Sequence, residues 1–135
     1  MSLFYIGAIC GGPEAMSSKI GSAISKIQRL AGQGQADETG SLDVVFHVPG
    51  SLVSPDYDGV RTGTFWRKKR ILQVQIAVPR DLSEKEEGEI GRSLVNLLRR
   101  AVHIAQPVFH EARVPFRHDH YERLLESIER AFSPN

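Results

Sequence analysis

Apolar and polar positions along this chain follow two periods, and the switches between them mark out its elements. Residues 3–10 (LFYIGAIC) are a near-continuous apolar run closed by Gly11, Gly12 and Pro13, the pattern of a short buried strand. Ile20, Ile24, Ile27 and Leu30 then recur at spacings of four and three, one apolar stripe on a helix. Ser17 or Ser18 suits its N-cap, and it ends near Gly32. Residues 32–41 have no apolar period and are expected to form a mobile loop. From Leu42 the period drops to two, with Leu42, Val44, Phe46 and Val48 on one face of a strand.

A turn-rich connection, 49–59, leads to two more strands, 60–66 and 71–78, around the bases 67–70. In the second of these Leu72, Val74, Ile76 and Val78 share a face, while Gln73 and Gln75 point the other way. That predicts a sheet covered on one side and partly wet on the other. Pro79 ends the strand. Ser83 and Glu86 have the spacing of a capping box, which would open a long helix striped by Ile90, Leu94, Leu97, Ala101, Ile104 and Ala105. Gly88 and Gly91 weaken its beginning, and Pro107 is expected to stop it. A last helix near 119–132 buries Tyr121, Leu124, Leu125, Ile128 and Phe132.

The elements run β-α-β-β-β-α-α in a single α+β domain, residues 1–135. The expected architecture is a mixed, mainly antiparallel four-stranded sheet packed against about three helices on one face. The first strand and helix suit a right-handed crossover, and the later three strands an antiparallel meander.

Composition narrows the function classes. Seventeen Lys and Arg against sixteen acids leave a net charge of +1, with no global pull toward nucleic acid or membrane. The single cysteine, Cys10, excludes an internal disulfide and suits a reducing compartment as a buried thiol. The start MSLFYIGAIC lacks the basic lead of a secretory signal and its apolar run is too short to span a bilayer, so the expected location is the cytoplasm.

Charge is nonetheless segregated. Residues 37–58 hold five acids and no Lys or Arg, whereas residues 59–80 hold six bases and no acid. Strand alternation sets Phe65 and Trp66 on opposite faces, so at least one of them belongs to the core. The candidate partner-binding residues are therefore Asp56, Tyr57, Asp58, Arg61, Trp66, Arg67, Lys68, Lys69 and Arg70. Bases beside an exposed aromatic suit an acidic protein surface or a phosphate. They also suit a solvated hairpin tip that discourages edge pairing. "SPDYDG" at 54–59 can be a cation-binding pair of carboxylates or simply a turn.

His103, His110, His118 and His120 lie in the C-terminal third. "HDHYE" at 118–122 gathers imidazoles and acids but matches no zinc spacing; His118 and Asp119 suit a helix cap instead. His47 alternates onto the polar side of its strand with Asp43. No phosphate loop, dinucleotide fingerprint or nucleophile elbow is present. The sequence calls for no cofactor and no metal.

The block "VVFHVPGSLVSPDYDGVRTGTFWRKKRILQVQIAVP" with its following helix resembles the small immunity proteins of bacterial polymorphic toxin and contact-dependent inhibition systems. The resemblance, over roughly 42–106, implies a non-enzymatic cytoplasmic protein whose partner is a cognate toxin, bound directly. Two other readings remain at this point: a nucleic-acid-binding module using the hairpin at 67–70, and a small metal-dependent enzyme using the C-terminal histidines.

Overall fold

A computed structural model describes residues 4–8, 18–32, 39–47, 59–78 and 80–133. The strands are β1 (Phe4–Ala8), β2 (Ser41–His47), β3 (Val60–Trp66) and β4 (Ile71–Ala77). The helices are α1 (Ser18–Ala31), α2 (Glu87–Glu111) and α3 (His118–Phe132). Short 3-10 turns at Arg67–Lys69 and Arg80–Glu84 connect β3 to β4 and β4 toward α2. Cys10, Val48, Asp56, Tyr57, Asp58 and the 33–38 stretch lie outside the described residues, as does the side chain of His47.

The class is α+β, as the sequence implies, but the strand pairing differs. β1 pairs parallel with β2, β2 pairs parallel with β4, and only β3 and β4 are antiparallel, in the order β1-β2-β4-β3. The mainly antiparallel meander is therefore overturned. Burial explains why. On β4, Leu72, Val74 and Ile76 are all but sealed from water, so this strand belongs inside the sheet. β3 is exposed at every position except Val60 and Phe65 and tolerates only an edge. The twelve residues between His47 and Val60 are enough chain to pass one strand position, roughly 10 Å across, and leave β4 its slot.

Leu42, Val44 and Phe46 of β2 join Leu72, Val74 and Ile76 of β4 on the face that packs under α1 and α2. From α1 the predicted Ile20, Ile24 and Ile27 are buried, with Leu30 at the margin. α3 lies across α2 as a further layer and buries Tyr121, Leu125, Ile128 and Phe132, with Leu124 half-buried. α2 is thus flanked on two sides. It buries Val95, Leu98 and Val102, which a single stripe does not include, while Leu97 and Ile104 are only partly covered.

Both ends of α2 differ from the capping and proline signals. Glu86 is the N-cap in an extended conformation with no side-chain cap bond, so the Ser83–Glu86 capping box is not formed. The cause is Leu82, buried within a 3-10 turn that keeps residues 80–84 out of the α-helix. At the other end Pro107 sits inside the helix, which runs on to Glu111. One further turn is enough to deliver Phe109 to a fully buried site, against an interior-proline cost of about 3 kcal/mol. The Phe109 ring is stacked on Phe116 at 4.8 Å and edge-on to Phe65 at 5.4 Å.

α3 is held to α2 by charge as well. Arg99 donates to Glu129, and with Arg92 nearby the Glu129 carboxyl is held below its ordinary value, the hydrogen bond being the largest cause. A carboxylate depressed in the fold contributes stability above its unfolded pKa, about 4.3, and loses it as pH falls through the lower folded value. The melting temperature is therefore expected to fall as pH drops below about 4.3, with part of that fall removed by Glu129→Gln. Thermal melts of both proteins across pH 3–6 check this; parallel curves would contradict it.

Candidate functional site: the basic β3–β4 tip

The backbone of the tip is tightly fixed. Arg67–Lys69 form one 3-10 turn, and Arg70 follows in the left-handed region at φ 57°, ψ 40°. Its N–H bonds the Arg67 carbonyl at 3.2 Å, and its own carbonyl accepts from Ser41 N–H at 2.8 Å. A left-handed residue other than glycine costs about 1–2 kcal/mol, so Gly would be the cheaper choice here. An arginine stands instead, the kind of local strain that clusters at functional positions.

A bulge decides what the tip displays. Val60 lies opposite Ile76 and Thr62 opposite Val74, but Phe65 lies opposite Leu72 and Trp66 opposite Ile71, so the register shifts between Thr62 and Phe65. Unbroken alternation from the buried Val60 would turn Trp66 inward. The extra residue reverses the parity, so Phe65 packs on Phe109 and Trp66 is 40% exposed. Among the described residues it is the one large hydrophobic side chain so exposed. An isolated glycine in a strand, Gly63, is the sequence signal for such a bulge. Gly63 also leaves room for the Gln73 side chain, which lies where a Cβ would project.

Arg61 Nε donates to Gln75 Oε1 at 2.8 Å on the same outward face as Trp66. The side chains of Arg67, Lys68, Lys69 and Arg70 are exposed and have no ion-pair partner among the described residues. The tip thus brings together five of the nine candidate residues, Trp66 and Arg67 to Arg70; Arg61 lies at the other end of β3 opposite Gln75, and Asp56, Tyr57 and Asp58 lie outside the described residues. Asp43, on the same sheet face, has its carboxyl pushed up by burial.

The C-terminal histidines do not converge. His118 Nε2 lies 3.4 Å from Glu122, whereas His120 accepts from Arg117 Nη2 at 2.7 Å. His103 and His110 are exposed on α2, about 10 Å apart along its axis. Among the described residues no three His, Cys, Asp or Glu groups could share a metal ion. The expected His118–Asp119 cap is also absent. Arg117 is the N-cap without a side-chain cap bond, and Asp119 instead pairs with Arg123 at 3.0 Å. Arg117 and Arg123 flank Asp119 and draw it away from the cap.

Among the described residues, shallow clefts flank the helices. One, of about 390 Å³, lies between Pro107, His110 and Phe116. Another, of about 520 Å³, lies where Lys26 and Arg92 meet the start of α2. Neither joins a nucleophile to a base. No described helix is long and apolar enough to cross a membrane. No protein-family model, no curated protein and no solved structure matches this chain.

Proposed function

We propose that this chain is a non-enzymatic protein-binding module, acting in the cytoplasm as an immunity protein that neutralises a cognate toxin by direct contact. The observation that carries the reading is Trp66, turned outward by a bulge beside four bases that have no ion-pair partner among the described residues. A water-exposed tryptophan next to arginines is the composition of an interface hot spot. The bases supply fast association and partner choice through electrostatic complementarity, which calls for an acidic face on the toxin. Asp56, Tyr57 and Asp58 belong to the proposed contact on sequence grounds.

The test is affinity capture of the tagged chain from its native cells, with and without nuclease, beside two variants. One replaces Arg67, Lys68, Lys69 and Arg70 by Ala; the other is Arg70→Gly. The expected result is a stoichiometric protein partner that survives nuclease and is lost or strongly reduced with the quadruple variant. Arg70→Gly is expected to weaken capture while raising stability by about 1 kcal/mol, because it relieves the left-handed backbone. Capture that vanishes with nuclease would make the tip a phosphate site, and undiminished capture by the quadruple variant would remove the tip from the contact.

A further inference from the structure

The side chains of β2 and β4 that point away from the helices form a second surface, and none of the described elements covers it. Val45, Ile71, Gln73 and Gln75 are half-buried there, with Trp66 beside Ile71 at the tip end. Among the described side chains of β2, β3 and β4, Asp43 and Arg61 are the charged ones on this face, and Arg61 is held down on Gln75. A strand face left permanently in water is ordinarily rich in Lys, Glu and Thr; this one carries no Lys or Glu. Its half-buried neutral residues without Lys or Glu match the composition of a protein contact, whose core is depleted in those residues; Asp43 lies on the inner strand opposite Gln73, and Trp66 stands at the end of the edge strand. Gly63 adds to it by leaving the Gln73 side chain flat against the sheet.

We infer that this helix-free sheet face and the basic tip form one continuous docking surface for a partner protein with an acidic rim and a flat, uncharged centre. The inference rests on the protein-binding reading above and extends its footprint from the tip across β4 to β2. Area supports the continuity. Three strands spaced about 4.8 Å apart and roughly 23 Å long present about 330 Å² in plan. That falls short of the ~800 Å² per side of a standard interface, so the face needs the tip to complete it.

Charge selects the occupant. The described residues of tip and face hold Arg61, Arg67, Lys68, Lys69 and Arg70 against Asp43, and even with Asp56 and Asp58 added the bases are in excess, so two copies of this surface repel each other while an acidic partner is drawn in. Asp43, its carboxyl already pushed up by burial, would also gain from a donor on that partner.

Photo-crosslinking in the cells that make the full chain tests this. The variants are Val45→p-benzoylphenylalanine and Gln73→p-benzoylphenylalanine on the face, Lys68→p-benzoylphenylalanine on the tip, and Glu126→p-benzoylphenylalanine on α3 as control, each checked by its melting temperature. Positions 45, 73 and 68 are expected to form adducts with one and the same protein, through peptides flanked by Asp and Glu, and position 126 with none. Adducts from 68 but from neither face position would overturn the extended footprint and leave the tip reading intact. No adduct from 45, 73 or 68 would overturn both. An adduct between two copies of the chain at 45 or 73 would overturn the choice of partner.

Discussion

Phe109→Ala is expected to cost about 3–5 kcal/mol. Its ring is fully buried and contacts Phe65 of β3 and Phe116 of the segment before α3. A Cβ at Gly40 would collide with the same ring, so the entry to β2 closes directly onto it. Around this point Gly40 N–H donates to the Pro115 carbonyl at 2.7 Å, and Tyr121 Oη donates to the Gly40 carbonyl at 2.9 Å. Truncation would therefore empty a site where β2, β3, α2 and α3 all meet. A typical domain has about 5–15 kcal/mol of stability, so the variant would be marginal. The expected drop in Tm is roughly 10–20 °C. Phe109→Leu, which keeps most of the volume, should lose clearly less. Equal losses would mean that the ring contacts, rather than the filled volume, carry the stabilisation.

Gly91→Ala is expected to reverse the usual sign of a helical glycine substitution. In an open helix position, Ala in place of Gly gains about 1 kcal/mol. Gly21 in α1 is such a position, with no atom within 4 Å of a built Cβ, and Gly21→Ala should gain about that amount. Gly91 is different because the Phe132 ring occupies the space its Cβ would take. Overpacking costs about 1–3 kcal/mol, enough to turn the gain into a loss.

The loss would extend to the end of α3. Lys26 lies 4.7 Å from the Phe132 ring and donates to the Ala131 carbonyl at 2.8 Å, and Arg92 donates to the Phe132 carbonyl at 2.8 Å. These cations sit at the negative end of the helix dipole, where they are favourable. A double-mutant cycle with Phe132→Ala isolates the collision. Gly91→Ala should become stabilising once the ring is gone; destabilisation in both backgrounds would refute the packing argument.

The parts legible in the sequence are those set by local periodicity. Ile20, Ile24 and Ile27, then Leu42, Val44 and Phe46, then Leu72, Val74 and Ile76 each mark a buried face, because every such face is defined within one element. What was not legible depends on distant segments. The parallel pairing of β2 with β4 follows from the competition between β3 and β4 for an inner position, which no single strand pattern contains. Val95, Leu98 and Val102 are buried on a helix that packs against α3 as well as the sheet, which a single apolar stripe does not encode. Pro107 was a sound stop signal by itself, but it is outweighed by the burial of Phe109 two residues later.

The candidate site divides in the same way. The basic tip stands out from composition alone, since Arg67, Lys68, Lys69 and Arg70 are consecutive. The direction of Trp66 does not, because it turns on one extra residue between Thr62 and Phe65. Val45 and Ile71 gave no compositional signal, being apolar residues in strands that also fill the core. Alternation alone sets both on the face away from the core; the strand pairing adds that Val45 lies beside Gln75.

The central claim is that a protein partner is gripped at Trp66, and this residue offers its own readout as the only tryptophan in the chain. The decisive measurement is its fluorescence emission while the purified protein is titrated with the captured partner, with Trp66→Phe as the background to subtract. The account predicts a blue shift on saturation as the indole leaves water. It also predicts an association rate that falls steeply with added salt, because the bases beside the indole steer the encounter. An emission spectrum that stays unchanged at saturating partner, or a rate indifferent to salt, would contradict it.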